Sequence, residues 1–425
     1  MRLVCAPKEF DFNASDAELN VVLYDQADVP TRGSVGRNIS AAFKASGLVP
    51  NARAWDLLSI ALFAVTADLA GHRNKSPDGW TREFALTLSV IDPVFWSSQS
   101  LTIEKLLSYL TTDKWTVTFV DGGYMPPQPR RPALPTEDSV VLLSGGLDSF
   151  IGAIDLVAKG AKPLAVSALV RGDAKNQRDF AARIGPGLRH LQLRHTARVP
   201  KPENPRTQRA RSIVFLSYGV LVATTLARYH AGNRVELNVC ENGFIAINPS
   251  LTGLRVGSLS TRTTHPVVIG LFQQLLAAAG LNVEVQNPYQ FKTKGEMLKE
   301  CLDQAFLAER AHTTTSCGRF LRWGYMHCGR CVPCLIRRAA FGKWGIADST
   351  RYKFSDLSIA DGDHAGFDDV RAVGIAILER KDLGIERWLG ASLSSPLIEN
   401  HGQLSAVVDR GLNELEALLG SMGVR

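Results

Sequence analysis

The stretch 140–150 constrains this chain more than any other, and it reads VVLLSGGLDSF. Its four leading apolar residues predict a short strand that is buried on both faces. Phe150, Ile154 and Val157 then recur at helical spacing, which predicts a helix directly after the glycines. A strand, a glycine turn and a helix aim backbone N–H groups and the positive end of a helix dipole at one place. The sequence therefore predicts an anion site at this turn.

The residues inside the turn indicate which anion it would bind. Glycine lets a phosphate approach the backbone closely, because it has no side chain to block the way. Ser144 and Ser149 add hydroxyl donors, and the Asp148 carboxylate could hold magnesium or order a donor. Two glycines after a strand are also compatible with an ordinary strand-to-helix turn. The six residues SGGLDS are more specific, and they form neither a Walker A loop nor a Rossmann fingerprint, because no Gly-Lys-Ser/Thr follows and the third glycine is missing.

Length and composition bound the class of protein. At 425 residues the chain is long enough for two or three domains, and a hydrophobic content of 45% is ordinary for a globular protein. The first residues hold no long apolar segment, and the most apolar early run, 57–70, is too short to span a bilayer. We therefore expect a cytoplasmic protein without membrane contact. The net charge of +7 permits anionic ligands such as nucleotides or RNA but does not demand them.

A proline-rich segment divides the sequence. Residues 122–137 hold five prolines, which predicts an extended linker. Residues 1–121 are expected to form a mixed α/β domain of unknown role, and residues 346–425 a helical C-terminal region. The elements expected in the first domain are strands over 19–24, 84–90 and 115–119 and helices over 54–71 and 103–110.

Residues 138–345 alternate strands with helices, which predicts a doubly wound parallel sheet. Ligands of such sheets bind beyond the carboxyl ends of the strands, at the switch in strand order. The glycine turn lies there if the strand before it is central. After that first strand, the expected elements are strands over 164–170, 190–193, 235–239 and 281–285 and helices over 176–184, 209–231 and 265–279.

A basic stretch lies within this domain. Residues 183–211 contain eight Lys or Arg and a single Glu. The stretch could clamp phosphates or RNA, or it could be a solvated loop and helix face. Arg211 is distinct because it opens a long predicted helix, from which its cation could reach ligand phosphates across the sheet.

Four of the seven cysteines are clustered in a pattern typical of a metal site: Cys317, Cys328, Cys331 and Cys334. Four thiolates around zinc make a closed tetrahedral site with no position for water, so the predicted role is structural. An iron–sulfur cluster is the competing interpretation, but a fourth cysteine with ferredoxin-like spacing and a following proline is missing. The remaining cysteines are expected to be ordinary buried thiols, namely Cys5, Cys240 and Cys301.

These two motifs together resemble a known family. SGGLDS resembles the SGGxDS signature of the PP-loop (N-type) ATP pyrophosphatases, whose fold is that of the adenine nucleotide alpha hydrolases. With the cysteine knuckle 317–334 following, residues 138–345 resemble the 7-cyano-7-deazaguanine synthases (QueC). The further segments that carry the resemblance are Asn176-Gln177-Arg178, Arg211-Ser212 with Phe215-Leu216-Ser217, Pro288 with Lys294 and Glu296, Thr315-Ser316-Cys317, Cys328-Gly329 and Arg338-Ala339-Ala340-Phe341.

The sequence also departs from the family pattern. Ser212 replaces an Asn, and the first spacer of the knuckle is longer. Residues 241–244, together with 260–266, stand where the family has Tyr-Pro-Asp-Cys-Arg, on the substrate side. The added N-terminal and C-terminal regions look like those of the longer QueC-like proteins of bacterial anti-phage operons, such as the Qat system.

The resemblance implies a ligase-like enzyme that forms C–N bonds and uses ATP, Mg²⁺ and Zn²⁺. It would adenylate the carboxylate of a 7-deazaguanine and transfer the acyl group to an amine, either ammonia or an amine of a partner protein from the same operon. Asp148, Ser149, Lys294 and Arg211 would be catalytic, with Asp148 on magnesium and the two cations on the α-phosphate or the substrate carboxylate. The nucleotide would be bound by Ser144, Gly145, Gly146, Leu147, Asp148, Ser149 and Gln177.

Two other functions remain open from the sequence. One is a PP-loop enzyme that modifies tRNA, with 183–211 as the RNA surface, although the lack of a free redox cysteine pair outside the knuckle disfavours thiolation. The other is a non-catalytic assembly protein that keeps a nucleotide-binding fold. The intact SGGLDS loop argues against the second, because no purely structural need requires all six residues.

Overall fold

We read the fold from a computed structural model, which describes residues 1–12, 16–169, 172–203, 209–251, 262–358 and 369–424. It contains two five-stranded sheets, and every strand pair in both is parallel. When the strands of each sheet are numbered along the chain, both sheets have the order 3-2-1-4-5. The predicted α/β class is therefore confirmed, as is the doubly wound sheet after the proline-rich segment.

The first half of the chain, which forms the first sheet and its helices, contains two strands and two helices that were not predicted from the sequence. The missed strands are Gly33–Val35, which has only three residues, and Arg2–Ala6, in which four successive residues are apolar, so neither shows an alternation of apolar and polar side chains. All the elements predicted here are present within a few residues of their expected bounds. The strands are β1 Arg2–Ala6, β2 Leu19–Leu23, β3 Gly33–Val35, β4 Glu83–Ser89 and β5 Lys114–Val120, and the helices are α1 Ile39–Ser46, α2 Ala52–Ala70, α3 Pro93–Ser98 and α4 Ser100–Thr111.

The second sheet has the glycine turn at its centre. The strands are β6 Ser139–Leu142, β7 Pro163–Ala168, β8 His190–Leu193, β9 Val235–Asn238 and β10 Val283–Gln286. β6 pairs with β7 on one side and β9 on the other, so the strand order switches beside it, as predicted. The helices are α5 Leu147–Ala158, α6 Ala174–Arg183, α7 Arg211–Ala223, α8 Ala227–His230, α9 Gly243–Ile247, α10 Pro266–Ala278, α11 Lys294–Glu300, α12 Gln304–Arg310 and α13 Val332–Trp344.

The prediction of a single helix over 209–231 is wrong, because the structure has two helices there. α7 ends at Ala223, and α8 begins at Ala227. Between them, the hydroxyls of Thr224 and Thr225 donate to carbonyls one turn back, at 2.8 and 2.7 Å. Hydroxyls that bond the backbone in this way compete with the helical ladder and favour a helix end.

The two halves of the chain pack against each other. α2 is buried over nearly its whole length because it lies between the first sheet and α7. Residues 122–137 contain no helix or strand, and the buried apolar residues on either side of them form one continuous cluster. The division into separate domains at this segment therefore stays a prediction.

An ionic cluster also joins the two halves. The buried Arg82 guanidinium pairs with Asp68 and Asp113, each at 2.6 Å, and with Glu203 at 3.4 Å. Asp68 in turn accepts from the backbone N–H of Ala210, at 3.2 Å. The first half thereby fixes the chain directly before Arg211, the first residue of α7.

The C-terminal region is helical, as expected. It contains α14 Asp369–Leu383, α15 Ile385–Leu389 and α16 His401–Ser421. α16 packs against α9 and α13, which places it over the second half of the chain. Across the described ranges, no helix combines the length and the apolar character needed to cross a membrane.

Candidate nucleotide site and four-cysteine cluster

The glycine turn is shaped by its own two serines. Gly145 has a φ of 89°, in the left-handed region that favours glycine, and Gly146 caps α5. The Ser149 hydroxyl accepts from the Ser144 backbone N–H and donates to the Gly146 carbonyl, both at 3.1 Å. The Ser144 hydroxyl accepts from the Gly146 N–H at 3.2 Å. The hydroxyls predicted to contact phosphate therefore also hold the turn, and the buried Leu147 begins the helix behind it.

Gln177 lies behind the turn. Its side chain is fully buried, and its amide nitrogen donates to the carbonyls of Ser144 and Ala168, both at 3.1 Å. Its oxygen accepts from the side chain of Gln192 at 2.8 Å. These contacts give Gln177 a positioning role, and its direct contact with nucleotide stays a prediction.

Asp148 and Lys294, which are far apart in the sequence, meet beside the turn. The Lys294 ammonium contacts one oxygen of the Asp148 carboxylate. The other oxygen accepts from the Asn242 side chain at 2.7 Å and from its backbone N–H at 3.2 Å. The side chains of Lys294 and Asp148 are only 8% and 11% exposed. The structure therefore gathers a cation, a carboxylate and an amide at the carboxyl ends of β6 and β9.

The position of Lys294 is fixed from both sides. It is the first residue of α11, which is capped by a reciprocal box between Thr293 and Glu296. Glu296 also pairs with Arg410 of α16 at 2.6 Å, and Thr293 donates to Glu414 of the same helix at 2.5 Å. The Lys-x-Glu motif thus consists of a lysine that faces the site and a glutamate that ties α11 to the C-terminal region.

Two cavities flank the turn, and both contact Ser144, Gly146 and Thr315. The first has a volume of about 200 Å³ and is mostly apolar, with Arg211 at one side. The Arg211 guanidinium lies 4.9 Å from the ring centre of Phe215. Burial lowers the pKa of Arg211, and the nearby Asp173 carboxylate opposes that shift. The remaining residues around this cavity are Leu142, Leu143, Val166, Ala168 and Tyr218.

The second cavity, of about 240 Å³, is the more polar of the two and holds Asp148, Ser149 and Lys294. Arg211 and Lys294 were predicted to share one task, yet the structure places them in different cavities beside the turn. An elongated ligand lying across Gly146 could contact both cations. A ligand confined to one cavity would meet only one of them.

Glu241 is a candidate functional residue that the sequence placed on the substrate side without a role. It lines the second cavity, and its carboxylate accepts from the hydroxyl of Thr264. Burial raises the pKa of Glu241 to about 7; the Asp148 charge adds to the shift, while Thr264 and Lys294 oppose it. Its position after the predicted strand 235–239 could have indicated a role, because ligands of doubly wound sheets bind at the carboxyl ends of the central strands.

The four predicted cysteines come together. Their sulfur atoms all lie within 4.8 Å of one another, with Cys317 and Cys331 at 3.8 Å and Cys328 and Cys334 at 3.9 Å. A tetrahedral site with zinc–sulfur bonds of about 2.3 Å requires sulfurs about 3.8 Å apart, so these residues fit zinc. All four are buried and free of disulfides, as are Cys5, Cys240 and Cys301.

The cysteine cluster supports one wall of the glycine turn. The Thr315 backbone N–H, two residues before Cys317, donates to the Gly145 carbonyl at 3.0 Å. The fully buried Arg337 donates to Thr314 at 2.8 Å and to the Ser316 hydroxyl at 3.1 Å. The four-cysteine cluster and the shape of the glycine turn are therefore connected through residues 314–317.

Comparison with known proteins gives a distant relative. No protein-family model matches the chain. The 7-cyano-7-deazaguanine synthase 1 of Sphingopyxis alaskensis is 29% identical over 236 residues, which are 50% of this chain and 97% of that protein. This chain is therefore a distant homologue of 7-cyano-7-deazaguanine synthase, QueC-like over about half of its length.

Proposed function

We propose that this chain is a QueC-like, ATP-dependent enzyme that adenylates the carboxylate of a 7-deazaguanine and transfers the acyl group to an amine. The observation that carries the proposal is the meeting of Lys294 and Asp148 beside the glycine turn, in one cavity with Glu241. The distant homologue supports the class of substrate through its name.

In the first step, a substrate carboxylate oxygen attacks the α-phosphorus of ATP, and pyrophosphate leaves. The N–H groups of the turn and the N-terminus of α5 stabilise the charge that develops on the phosphates. Lys294 neutralises the α-phosphate from the second cavity, and Arg211 is available from the first. Magnesium bound with ATP would supply further charge neutralisation, and Asp148, whose carboxylate pairs with Lys294 and Asn242 in this structure, would hold it.

In the second step, the amine attacks the acyl carbon, its C–N bond forms, and AMP leaves with the former carboxylate oxygen. The attacking nitrogen must lose a proton. Glu241 is the group in the second cavity whose pKa, about 7, suits a base at neutral pH. We assign it that task.

The acceptor amine is either ammonia or an amine of a partner protein. The homologous protein is matched over 97% of its length by half of this chain, so the other half is additional. We assign the additional regions to binding a partner within a cytoplasmic anti-phage system. Mass spectrometry of a co-expressed partner tests this, and an unchanged mass in the presence of the deazaguanine precursor would contradict it.

The first test of the proposed function is ATP turnover with 7-carboxy-7-deazaguanine, with AMP, ADP and pyrophosphate resolved. We expect AMP and pyrophosphate that require the deazaguanine in the wild type and in Asp121→Ala, an exposed carboxylate outside the site. Asp148→Ala should form neither. Turnover without the deazaguanine, or an unaffected Asp148→Ala variant, would refute the proposal.

A further inference from the structure

A second polar pocket lies where the first sheet meets the segment after β8. It has a volume of about 110 Å³ and shares no lining residue with the two cavities beside the glycine turn. We call it the arginine pocket, and it is lined by Gln26, Ser34, Arg37, Asn38, Arg194, Thr196 and Arg198.

Backbone hydrogen bonds build this pocket from two distant segments. Arg37 and Asn38 lie between the carboxyl end of β3 and α1, and Arg194 and Arg198 follow β8. The backbones of Ser34 and Arg198 exchange two hydrogen bonds, at 2.9 and 2.8 Å. These bonds hold the two segments together whether or not a ligand is present, so the positions from which the three arginines project are fixed.

The charges in the arginine pocket are not balanced. Within the described parts of the chain, no carboxylate lines the pocket, and none of its three arginines forms an ion pair. Like charges gathered around one small volume repel each other, and an anion placed among them removes that cost. The Thr196 hydroxyl oxygen is also buried there without a hydrogen-bond partner.

Three other arginines of the basic stretch 183–211 make contacts outside this pocket. Arg183 pairs with Glu309 at 2.7 Å, and Arg209 donates to the Thr111 carbonyl at 2.9 Å. Arg211 lines the first of the two cavities beside the glycine turn. The structure thus sets Arg194 and Arg198 apart from these three arginines and adds Arg37 from the first half of the chain.

We propose that the arginine pocket binds a phosphate group. The three guanidinium groups are donors only, the amide and hydroxyl groups can also donate, and arginine forms paired hydrogen bonds with phosphate oxygens. The volume is well below the roughly 300 Å³ at which pockets for whole drug-sized ligands begin, so the rest of the ligand would extend over the surface. The phosphate belongs either to a nucleic-acid backbone or to a small phosphorylated molecule.

The test uses the full chain and a charge-matched control. The pocket variant is Arg37→Gln/Arg194→Gln/Arg198→Gln, and the control is Arg130→Gln/Arg189→Gln/Arg351→Gln, three exposed arginines outside the pocket. The melting temperature is measured in sodium phosphate and in sodium chloride at equal ionic strength. All three proteins keep the glycine turn, so phosphate bound there contributes equally to each.

We expect phosphate to raise the melting temperature of the wild type and the control by more than that of the pocket variant. An equal rise in all three proteins, or no phosphate-specific rise in any, would overturn the proposal. If the triple variant does not fold, Arg194→Gln against Arg189→Gln provides the same comparison with exposed side chains.

Binding of a labelled single-stranded RNA then distinguishes the two sources of phosphate. If the ligand is the phosphate backbone of a nucleic acid, the pocket variant binds RNA more weakly than the control. The slope of the logarithm of its binding constant against the logarithm of the salt concentration is then smaller by about 0.7 per lost phosphate contact. If the two variants bind RNA equally while the phosphate effect differs, the ligand is a small phosphorylated molecule.

Discussion

The two sheets of this chain have the same strand order and the same parallel pairing, yet only one carries a predicted nucleotide site. The central strand β6 leads through Gly145 and Gly146 into α5, whose N-terminus faces the two cavities. The central strand β1 leads into residues 7–12 and 16–18, where the described chain contains no α-helix. Strand order therefore provides the edge at which ligands can bind, but the phosphate site depends on the turn and helix that follow the central strand.

The sheets also differ in what their charged residues do. Around the second sheet, Lys294 and Asp148 face a cavity. Around the first sheet, the buried Arg82 is enclosed by carboxylates, and Arg37, which follows β3, faces the arginine pocket rather than the glycine turn. We infer that the first half supports the site through packing and through the chain before Arg211, whereas the second half provides the reacting groups.

The largest expected effect tests the supporting half. Arg82→Met would remove the buried cation that pairs with both Asp68 and Asp113, although Arg73 would still pair with Asp113, and loss of one partner of a buried pair typically costs about 3–5 kcal/mol in the free energy of unfolding. Urea denaturation measures this loss. Lys114→Met is the control, because its pair with Glu83 is exposed and should contribute far less. Equal losses in the two variants would show that the Arg82 cluster does not hold the halves together.

The next effect tests the half with the reacting groups. Lys294→Ala should lower the rate of AMP formation about 100- to 1,000-fold, as is typical when a donor to a developing anion is removed. Lys292→Ala is a matched control two residues away, where the ammonium pairs with Glu300 near the surface. A Lys294→Ala variant with the control's rate would remove this residue from the mechanism.

The sequence predicted the second half better than the first, and the reason is local. The SGGLDS turn, strand β8 and the four cysteines are encoded by neighbouring residues, so their pattern is visible in the chain. Strand β3 has only three residues and β1 has four successive apolar residues, so neither shows an alternation of apolar and polar side chains. The contact of Asn242 with Asp148, the place of Glu241 and the approach of Arg37 to Arg194 depend on which strand ends lie side by side. No local pattern encodes that arrangement.

Removal of metal tests the connection between the cysteine cluster and the turn. We expect one zinc per chain, and Cys328→Ser should lose it, whereas Cys301→Ser, a buried thiol outside the cluster, should keep it. Without the cluster, Thr315 is less firmly held against Gly145. A displacement of about 1 Å near reacting groups can cost about 100-fold in rate, so adenylation should fall by up to that factor. Unchanged adenylation in the zinc-free protein would contradict this connection.

The smallest effect concerns Glu241 and pH, and here stability and activity change in opposite directions. Burial raises the pKa of Glu241 from 4.5 to about 7, so the folded chain holds this proton more tightly than the unfolded chain. Its contribution to the free energy of unfolding is therefore complete below pH 4.5 and is lost as the pH rises through 7. A base needs the ionised form, so at a constant concentration of the uncharged amine, amide formation from a preformed adenylate should rise about tenfold per pH unit below 7 and then level off. Glu241→Gln should remove both dependences while adenylation continues. If Glu241→Gln keeps the wild-type pH profile for amide formation, another group accepts the proton from the attacking nitrogen.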